Sequence, residues 1–533
     1  MTTFDNLKRD FSEGRVDRRD FIRQATAMGM AAAIPAGIVA QEARATEPRR
    51  GGLFRSAVRG GATSDSIDGA ALLDTHNIMT SWTCRNNLTE VAPDGSIVGE
   101  LAESWEASAD AATWVFTLRN GVEFHNGKSL DADDVIFSIN HHRGVDSTSG
   151  GSGAVASIDS IEADGKDKVV FNLSGGSADF PFLMADYHLT IVPDGTDAAG
   201  WESGIGTGPY ILTAWEPGIR SAGTRNPNYF KEGRPYFDEC ETLNVGDTTA
   251  RMTSLRTGEV DAMEEPELKG VDLLAEIPGL GVKEVGGTKH FTFPMHTDVA
   301  PFDNNDVRLA LKYAVDREAI LNTILRGHGY LGNDHPIGAS QRYFAADLPI
   351  REYDPDKAKH HLKQAGLDGL TIPLHAADIY AGGMDSAIVF SESAAAAGIT
   401  LEIVREPIDG YWSNVWMQKP FSVCYWGGRP TSDWMFSTAY AAEASWNDTN
   451  WQHDRFNELL VAARGELDDE KRRQMYHDMQ QICRDEGGVV VPVFANWLLG
   501  VNDKVATPER IAGNWPMDGD KAPERWWFAE DAA

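Results

Sequence analysis

The chain of 533 residues is 42% hydrophobic and 9% aromatic, so it holds enough apolar material for more than one packed core. Its 80 acidic and 48 basic residues give a formal charge of −32, which repels phosphate backbones and anionic lipid headgroups. Length and charge together predict a protein of two or more lobes and disfavour nucleic-acid and peripheral membrane binding.

The first 45 residues contain the three parts of an export signal in the expected order. Arg18 and Arg19 are adjacent, an alanine-rich apolar run covers residues 25–40, and Ala43–Ala45 is a small-x-small cleavage pattern. The paired arginines resemble a twin-arginine signal, and an ordinary amphipathic helix is the alternative. The apolar run is too short to span a membrane comfortably, which needs about 20 apolar residues. We predict a mature protein that begins near Thr46 and is free in the periplasm.

After this segment, short β-type runs alternate with helical segments, which predicts α/β lobes. Strands are predicted over 114–118, 168–173 and 489–494, and helices over 306–325, 455–464 and 468–483. In the first of these helices, Val307, Leu311 and Ala314 lie on one apolar stripe. Gly327 follows the stripe and predicts the end of the helix.

Five sequence blocks follow one another along the mature chain: 51–57, 112–138, 206–230, 301–317 and 353–355. The second block reads ATWVFTLRNGVEFHNGK and continues to ADDVIFS, and the fourth contains PFD, VRLAL and VDR. As a set, these blocks resemble the extracellular solute-binding proteins of family 5, the peptide-, nickel- and opine-binding subunits of ABC importers. The resemblance spans nearly the whole mature chain.

The resemblance implies an α/β, two-lobed periplasmic binding protein fold of type II with an extra subdomain, which encloses its ligand in the cleft by hinge closure. We expect the first lobe with the subdomain over 46–288, the second lobe over 289–503 and a return to the first lobe over 504–533. Arg225 and Arg308 are expected to tie the lobes together through carboxylates. The implied partners are a small-molecule solute and an ABC permease and ATPase complex. The implied state is a monomer without a cofactor.

The segment 423–436 matches, by position, the family loop that reaches into the cleft. Tryptophan offers a large apolar face, arginine a planar fork for a carboxylate or phosphate, and glycine a close approach to the backbone. We therefore predict ligand contacts from Trp426, Gly427, Gly428, Arg429, Asp433 and Trp434. A second cleft-lining loop, 60–65, adds Thr63 and Ser64 as predicted hydrogen-bonding residues.

The composition of this segment also bears on the solute. Peptide-binding relatives usually carry an acidic residue here, which pairs with the free amino group of the ligand. In this chain Gly427, Gly428 and Arg429 occupy that stretch, and the nearest acid is Asp433. The departure favours an anionic or zwitterionic solute, such as an opine or another amino-acid derivative, over an ordinary peptide. The alternative is that Arg429 is paired internally with a carboxylate.

Motifs of catalysis are missing, which argues against an enzyme. The sequence has no HExxH, no GxSxG elbow and no GxGxxG that opens a helix. Five residues lie between Gly121 and Gly127 where a phosphate loop needs four, so Gly127-Lys128-Ser129 is not such a loop. We keep a metal chelate as cargo, a chemoreceptor partner and a periplasmic hydrolase as alternatives to solute import.

Histidines and cysteines predict no metal site. The histidine pairs 141–142 and 360–361 are adjacent, so neither pair shares a helix face as a metal clamp would. None of the cysteines has the spacing of a zinc site; they are Cys84, Cys240, Cys424 and Cys483. Two disulfides or free thiols are both compatible with the sequence.

Overall fold

The computed structural model describes residues 48–529, so the predicted export signal lies outside the described residues. Within them, no helix is both long enough and apolar enough to cross a bilayer. The strands are, in chain order, Leu53–Val58 (β1), Thr89–Val91 (β2), Ile97–Gly99 (β3), Ala102–Ala107 (β4), Thr113–Leu118 (β5), Ile158–Ala163 (β6), Lys168–Leu173 (β7), Tyr210–Glu216 (β8), Arg220–Arg225 (β9), Glu239–Asn244 (β10), Ala262–Glu264 (β11), Leu280–Val285 (β12), His290–Pro294 (β13), Gly329–Leu331 (β14), Leu370–Ala376 (β15), Ile399–Arg405 (β16), Cys424–Trp426 (β17), Val489–Val490 (β18), Val493–Ala495 (β19), Trp497–Asn502 (β20), Val505–Ala506 (β21) and Trp527–Phe528 (β22). The helical segments are Gly69–Ala71, Thr75–Cys84, Ala132–Asn140, Ser152–Val155, Phe180–Leu183, Ala198–Glu202, Thr248–Thr257, Val271–Ala275, Asn305–Ala314, Arg317–Thr323, Pro355–Gln364, Gly383–Ala395, Tyr411–Asn414, Ser432–Ala439, Asp454–Gly465, Asp469–Glu486, Pro516–Gly519 and Ala522–Arg525.

Seven strands form the sheet of the first lobe, in the order β12-β20-β11-β1-β10-β9-β8. The central strand β1 pairs in parallel with β10 and with β11. Its side chains alternate between faces, so Phe54 and Val58 pack with Trp526 while Ala57 packs with Leu255 in another cluster. Both faces of this sheet are therefore covered, as an α/β lobe requires.

An extra subdomain lies between β1 and β8 in the chain and contains the antiparallel sheet β4-β5-β7-β6. The strands predicted over 114–118 and 168–173 are confirmed as β5 and β7, which pair directly. Phe116 and Phe171 alternate inward from them into an apolar cluster that is separate from the first-lobe sheet. The subdomain therefore has its own hydrophobic core.

The second lobe is built around the sheet β14-β19-β13-β17, with β18 paired to β13. Strand β13 is buried along its whole length, and the Phe293 ring contacts that of Phe390 with centroids 5.0 Å apart. The parallel pair β15-β16 packs with the helix Gly383–Ala395 in the same core. The helices predicted over 455–464 and 468–483 are present as Asp454–Gly465 and Asp469–Glu486.

The chain crosses from the first lobe to the second after β12 and returns after β19. The two crossovers run side by side, because the Ala495 N–H donates to the Lys289 carbonyl at 2.8 Å. Strand β20 pairs with both β11 and β12, so the return begins at Trp497 rather than at residue 504. Leu499 and Val501 explain the earlier return, because they complete the apolar core of the first lobe.

One predicted helix and one predicted strand are each interrupted in the structure. The single helix over 306–325 is wrong: it divides into Asn305–Ala314 and Arg317–Thr323. Asp316 starts the second helix by accepting a hydrogen bond from the Ala319 N–H at 2.9 Å. The strand predicted over 489–494 is interrupted at Pro492, which has no N–H to donate.

Arg225 and Arg308 each brace their own lobe, so the expectation that they tie the lobes together is wrong. Arg225 pairs with Asp238 at 2.7 Å within the first-lobe sheet. Arg308 donates to the carbonyls of Phe302 at 2.7 Å and Glu486 at 2.8 Å, both in the second lobe. The four cysteines are buried free thiols, which decides between the two states left open by the sequence.

Candidate functional site

The second lobe contacts the extra subdomain of the first lobe through a buried ion pair. Arg472 Nη2 lies 2.8 Å from Asp179 Oδ1, and both side chains are less than one-tenth exposed. Beside this pair, the Ala178 N–H donates to the Arg464 carbonyl at 2.7 Å. Trp434 packs against the apolar core of the subdomain. The predicted recognition segment, which contains Trp434, therefore lies where the two lobes meet.

Arg429 lies in the loop between β17 and the helix Ser432–Ala439. Its Nη1 donates to the carbonyls of Gly427 and Gly428 at 3.2 and 3.4 Å. Its guanidinium carbon lies 6.0 Å from the centre of the Trp426 ring. Within residues 48–529 no carboxylate forms an ion pair with Arg429. The alternative, that Arg429 is paired with a carboxylate of the protein itself, does not hold within the described residues.

The electrostatic surroundings of Arg429 come from the other lobe. Burial lowers the pKa of Arg429, and Tyr187 and Asp186 of the extra subdomain oppose this effect. Burial also raises the pKa of Tyr187, and Arg429 acts in the opposite direction. The Arg429 side chain thus belongs to the second lobe, while the groups that sense its charge belong to the first.

Trp426 belongs to the core of the second lobe rather than to an open face. It is 6% exposed, and its Nε1–H donates to Asp448 Oδ2 at 3.2 Å. Trp416 donates to the same oxygen at 3.1 Å, and burial raises the pKa of Asp448 to about 6. Trp446 contacts both rings and is 47% exposed. Trp446 is therefore the exposed one of these three tryptophans, and Trp412, which contacts Trp416 from another side, is 45% exposed.

The remaining predicted residues of the segment differ in their surroundings. A Cβ on Gly428 would lie 1.9 Å from Thr288 Oγ1, so the approach of the crossover strand requires glycine there. Gly427 is exposed and has open space at that point. Asp433 accepts from Arg464 Nε at 3.3 Å, and burial raises the pKa of Asp433 to about 6.

Thr63 and Ser64 are exposed in the loop that follows β1. The loop is closed by the Ala62 N–H, which donates to Asp65 Oδ2 at 2.8 Å. Among the hydrogen bonds within the described residues, none joins this loop to the segment 426–434. The structure therefore leaves both hydroxyl-bearing residues on the surface of the first lobe.

A cavity of about 450 Å³ lies at the crossovers and is lined by both lobes. Glu265 and Leu268 line it from the first lobe, and Phe291 and Tyr380 from the second. Lys289, on the crossover itself, projects its Nζ to 5.2 Å from the ring of Tyr425, next to Trp426 in β17. Within the described residues, Lys289 Nζ has neither a carboxylate nor a hydrogen-bond acceptor as partner.

Lys289 is not neutralised at the cavity wall. Burial lowers the pKa of Lys289; Glu265 opposes this effect, and Arg59 adds to it. Glu265 is itself occupied by Arg59, whose Nη2 lies 3.2 Å from Glu265 Oε1. Sequence reasoning missed Lys289, Glu265 and Tyr187, because no motif surrounds them. The only local signal is that Lys289 follows the glycine pair 286–287.

The lobes, the paired crossovers and the cavity between them define a two-lobed solute-binding protein. The sequence profile of the bacterial extracellular solute-binding proteins, family 5, matches residues 96–448. The dipeptide-binding protein of Escherichia coli K12 is 26% identical over 471 residues, which cover 80% of this chain and 85% of that protein. The chain belongs to the family 5 solute-binding proteins, the solute-capturing subunits of ABC importers.

Solved structures share the fold. The periplasmic binding protein DppA from Helicobacter pylori, in complex with the peptide STSA, is 23% identical, with a TM-score of 0.71 over 90% of this chain and 99% of that chain. The binding protein AgaA from A. tumefaciens R10, in complex with agropinic acid, has the same identity, TM-score and coverage. One architecture thus holds solutes of different chemistry in these two proteins.

Proposed function

We propose that the chain captures a small solute with an anionic group, such as a peptide, an opine or a related amino-acid derivative, and delivers it unaltered to an ABC permease and ATPase complex. The observation that carries this proposal is a pair of cations, Arg429 and Lys289. Each is part-buried, and neither has a carboxylate ion-pair partner in residues 48–529. Lys289 lines the cavity at the crossovers, and Arg429 lies in the recognition segment, whose Trp434 packs against the extra subdomain.

A part-buried cation without a counterion is unfavourable, because desolvation is not repaid by an opposite charge. A carboxylate of the solute would supply that charge. Arg429 offers a planar fork for two hydrogen bonds, whereas Lys289 offers a compact point charge near the ring of Tyr425. These different donors suit two anionic groups, or one anionic and one carbonyl group, of a single solute.

Closure of the two lobes would link binding of the solute to a change in the conformation of the protein. Arg429 comes from the second lobe, and Tyr187 and Glu265 come from the first, so a solute touches all three only in the closed state. A ligand that binds the closed state better shifts the population toward it. This differential affinity is what a permease can recognise in a loaded binding protein.

The predicted site residues divide into two groups under this proposal. Direct contact is assigned to Arg429, Gly427, Trp434, Thr63 and Ser64, which are at least partly accessible. Support is assigned to Trp426, Gly428 and Asp433, which are engaged by Asp448, Thr288 and Arg464 respectively. The supporting group holds the loop backbone so that Arg429 keeps its orientation.

The setting of this function is the periplasm, reached through the twin-arginine type signal in residues 1–45. The protein acts as a monomer, since the lobes must move freely, and it performs no chemistry on the solute. The relatives with known ligands are binding proteins, which supports the absence of catalysis.

The test is a thermal-shift screen with the tetrapeptide Ser-Thr-Ser-Ala and agropinic acid, followed by calorimetry with each compound that responds. Bound solute raises Tm by mass action. Arg429→Ala should weaken binding by about 2 kcal/mol, because a charge-assisted hydrogen bond is lost. Arg455→Ala is the matched control, since Arg455 is exposed and its one ion pair among the described residues is with Glu458, 3.6 Å away on its own helix.

Two results would contradict the proposal. One is the absence of any Tm shift with anionic peptides and opines. The other is wild-type affinity in both Arg429→Ala and Lys289→Met for a compound that binds. Conversion of the bound compound into another product would contradict the assignment as a binding protein.

A further inference from the structure

Two tryptophans of the second lobe are exposed and share a neighbour. Trp412 is 45% exposed and Trp446 is 47% exposed, whereas every other tryptophan within residues 48–529 is less exposed. Their rings contact the same indole, that of Trp416, with centroids 5.6 and 6.3 Å apart. Single exposed apolar side chains are common, but two that meet at one ring form a continuous surface, which is typical of a binding site.

The backbone that carries Trp446 is anchored. The two residues that follow it, Asn447 and Asp448, are each 4% exposed. Asn447 Nδ2 donates to the Trp451 carbonyl at 2.8 Å, and Asp448 Oδ2 accepts from Trp416 Nε1 at 3.1 Å. The same carboxylate thus fixes the ring that both exposed indoles contact.

Trp412 is anchored through the residue before it. Tyr411 is fully buried, and its hydroxyl donates to the Val423 carbonyl at 2.8 Å, one residue before β17. Tyr411 and Trp412 are the first two residues of one short helix, so the buried tyrosine determines where the exposed indole projects. Side chains that are already ordered lose little entropy when they bind a ligand.

The topology of the second lobe places Trp412 at the edge of the sheet where the cavity lies. Strands β15 and β16 are parallel, and α/β sheets bind ligands outside the carboxyl ends of such strands. Tyr380 follows β15 and lines the cavity, and Trp412 follows β16. Both rings contact Tyr425 in β17, each with centroids 5.8 Å apart. The aromatic surface is therefore continuous with the cavity wall.

Each exposed indole is also one ring away from a cation. Lys289 Nζ lies 5.2 Å from the Tyr425 ring, which one of the two indoles contacts. The guanidinium carbon of Arg429 lies 6.0 Å from the Trp426 ring, which the other indole contacts with centroids 6.0 Å apart. The exposed aromatic surface thus adjoins both cations that lack a carboxylate partner in the described residues.

We propose that Trp412 and Trp446 bind an aromatic ring of the solute, beside the anionic group that the two cations hold. This inference rests on the proposed function and narrows the solute to anions that carry an aromatic ring. The two indoles meet Trp416 at interplanar angles of 83° and 62°, so neither is stacked face to face on it. A solute ring on these indoles buries apolar area on both partners and adds the attraction of an aromatic pair.

The experiment measures, by calorimetry on the full mature chain, how much a ring in the solute adds to its affinity. Ser-Thr-Ser-Phe is compared with Ser-Thr-Ser-Leu, and Ser-Thr-Phe-Ala with Ser-Thr-Leu-Ala. Both members of a pair have the same charges and an apolar side chain at the same position, so the ring is the main difference. At least one phenylalanine peptide should bind about fivefold more tightly than its leucine counterpart.

Variants of the two indoles locate this preference. Trp412→Leu and Trp446→Leu should each reduce it, and the double variant should bind the two members of a pair equally. Trp412→Phe should keep most of the preference because it keeps a ring. Trp105→Leu is the matched control, since Trp105 is a partly exposed tryptophan in β4 of the extra subdomain, and it should leave the preference unchanged.

Fluorescence gives a second measurement. A bound ring shields the two exposed indoles from water, so saturation with the tighter phenylalanine peptide should reduce quenching of the tryptophan emission by iodide. The double variant should show a smaller reduction. Unchanged quenching of the wild type at saturation would overturn the inference.

The outcomes distinguish this inference from the proposed function. Equal affinity for the phenylalanine and leucine peptides, or a preference that the double variant retains, would overturn the aromatic subsite and leave anionic solute capture in place. No binding of any of these peptides and none of agropinic acid would overturn both.

Discussion

Two groups of buried charges lie close together in the sequence of the C-terminal return, and they differ in how they are paired. Lys521, Glu524 and Arg525 enter a dense network, in which Lys521 Nζ lies 2.7 Å from Glu100 Oε1 and Lys231 Nζ lies 3.0 Å from Glu524 Oε1. Asp520, one residue before this network, has an oxygen without any partner among the described residues. Adjacent positions in the chain therefore differ in pairing, since Lys521 has a carboxylate partner and Asp520 has an oxygen without a donor.

The charges in the C-terminal network are paired within the protein. The network joins the extra subdomain, the segment around Lys231 and the C-terminal return, and its three carboxylates, Glu90, Glu100 and Glu524, are met by lysine and arginine. This trio satisfies the geometry of a metal site, but its charges are already neutralised by the protein. By contrast, neither Arg429 nor Lys289 has a carboxylate ion-pair partner among the described residues, and we propose that the solute supplies one.

The largest expected effect comes from breaking the paired network. Glu100 is fully buried and accepts from Lys231, Lys521 and Asn86. Glu100→Ala would leave two buried lysines short of a partner and should lower the free energy of unfolding by about 3–5 kcal/mol. Urea unfolding measures this, with the exposed Glu103→Ala as control. An unchanged midpoint would mean that the network does not hold the lobes' segments together.

The next effect concerns pH and Glu264. The folded-state pKa of Glu264, about 7, lies above the ordinary value of 4.5, so the folded state binds the extra proton between these pH values. Stability from this group is present below the unfolded-state pKa and is lost as pH rises through about 7. Between pH 4.5 and 8, the free energy of unfolding of the wild type should fall by up to about 3 kcal/mol because of Glu264, and Glu264→Gln should not show this fall. Urea unfolding at both pH values checks it, and parallel pH profiles of the two proteins would contradict it.

A smaller effect is expected at the hinge cavity. Lys289→Met keeps the apolar stem and removes the charge, so it should weaken binding of an anionic solute by about 2 kcal/mol. Its free energy of unfolding should stay the same or rise, because an unpaired part-buried cation is removed. Calorimetry and urea unfolding measure the two quantities, with the exposed Lys359→Met as control. A large loss of stability with unchanged affinity would place Lys289 among the structural charges.

The smallest effect is expected from reducing agent. The cysteines are buried free thiols, and burial raises the pKa of Cys240 and Cys483, which makes them unreactive. Dithiothreitol should therefore leave Tm unchanged, and a thiol reagent should react with all four only after unfolding. A reductant-dependent fall in Tm would show that covalent links, rather than the charge network, hold the segments.

Much of the local structure could be predicted from the sequence because it depends on near neighbours. Strands β5 and β7 follow from alternation of apolar residues, and the two C-terminal helices follow from their apolar stripes. The division of the helix at Asp316 could not be predicted, because the apolar stripe continues across it while the Asp316 carboxylate caps the start of a second helix. The early return at Trp497 also depended on distant partners, namely β11 and β12.

The family, the alternation of α and β elements and the position of Arg429 in the recognition segment could be predicted from the amino-acid sequence alone. Which charges have partners depends on the tertiary structure. Ion pairing depends on atoms within about 4 Å, and residues as far apart in the chain as Glu100 and Lys521, or Asp179 and Arg472, come together only when the lobes fold. The sequence therefore predicted the class of protein, and the fold decided which of its charges are paired within the protein.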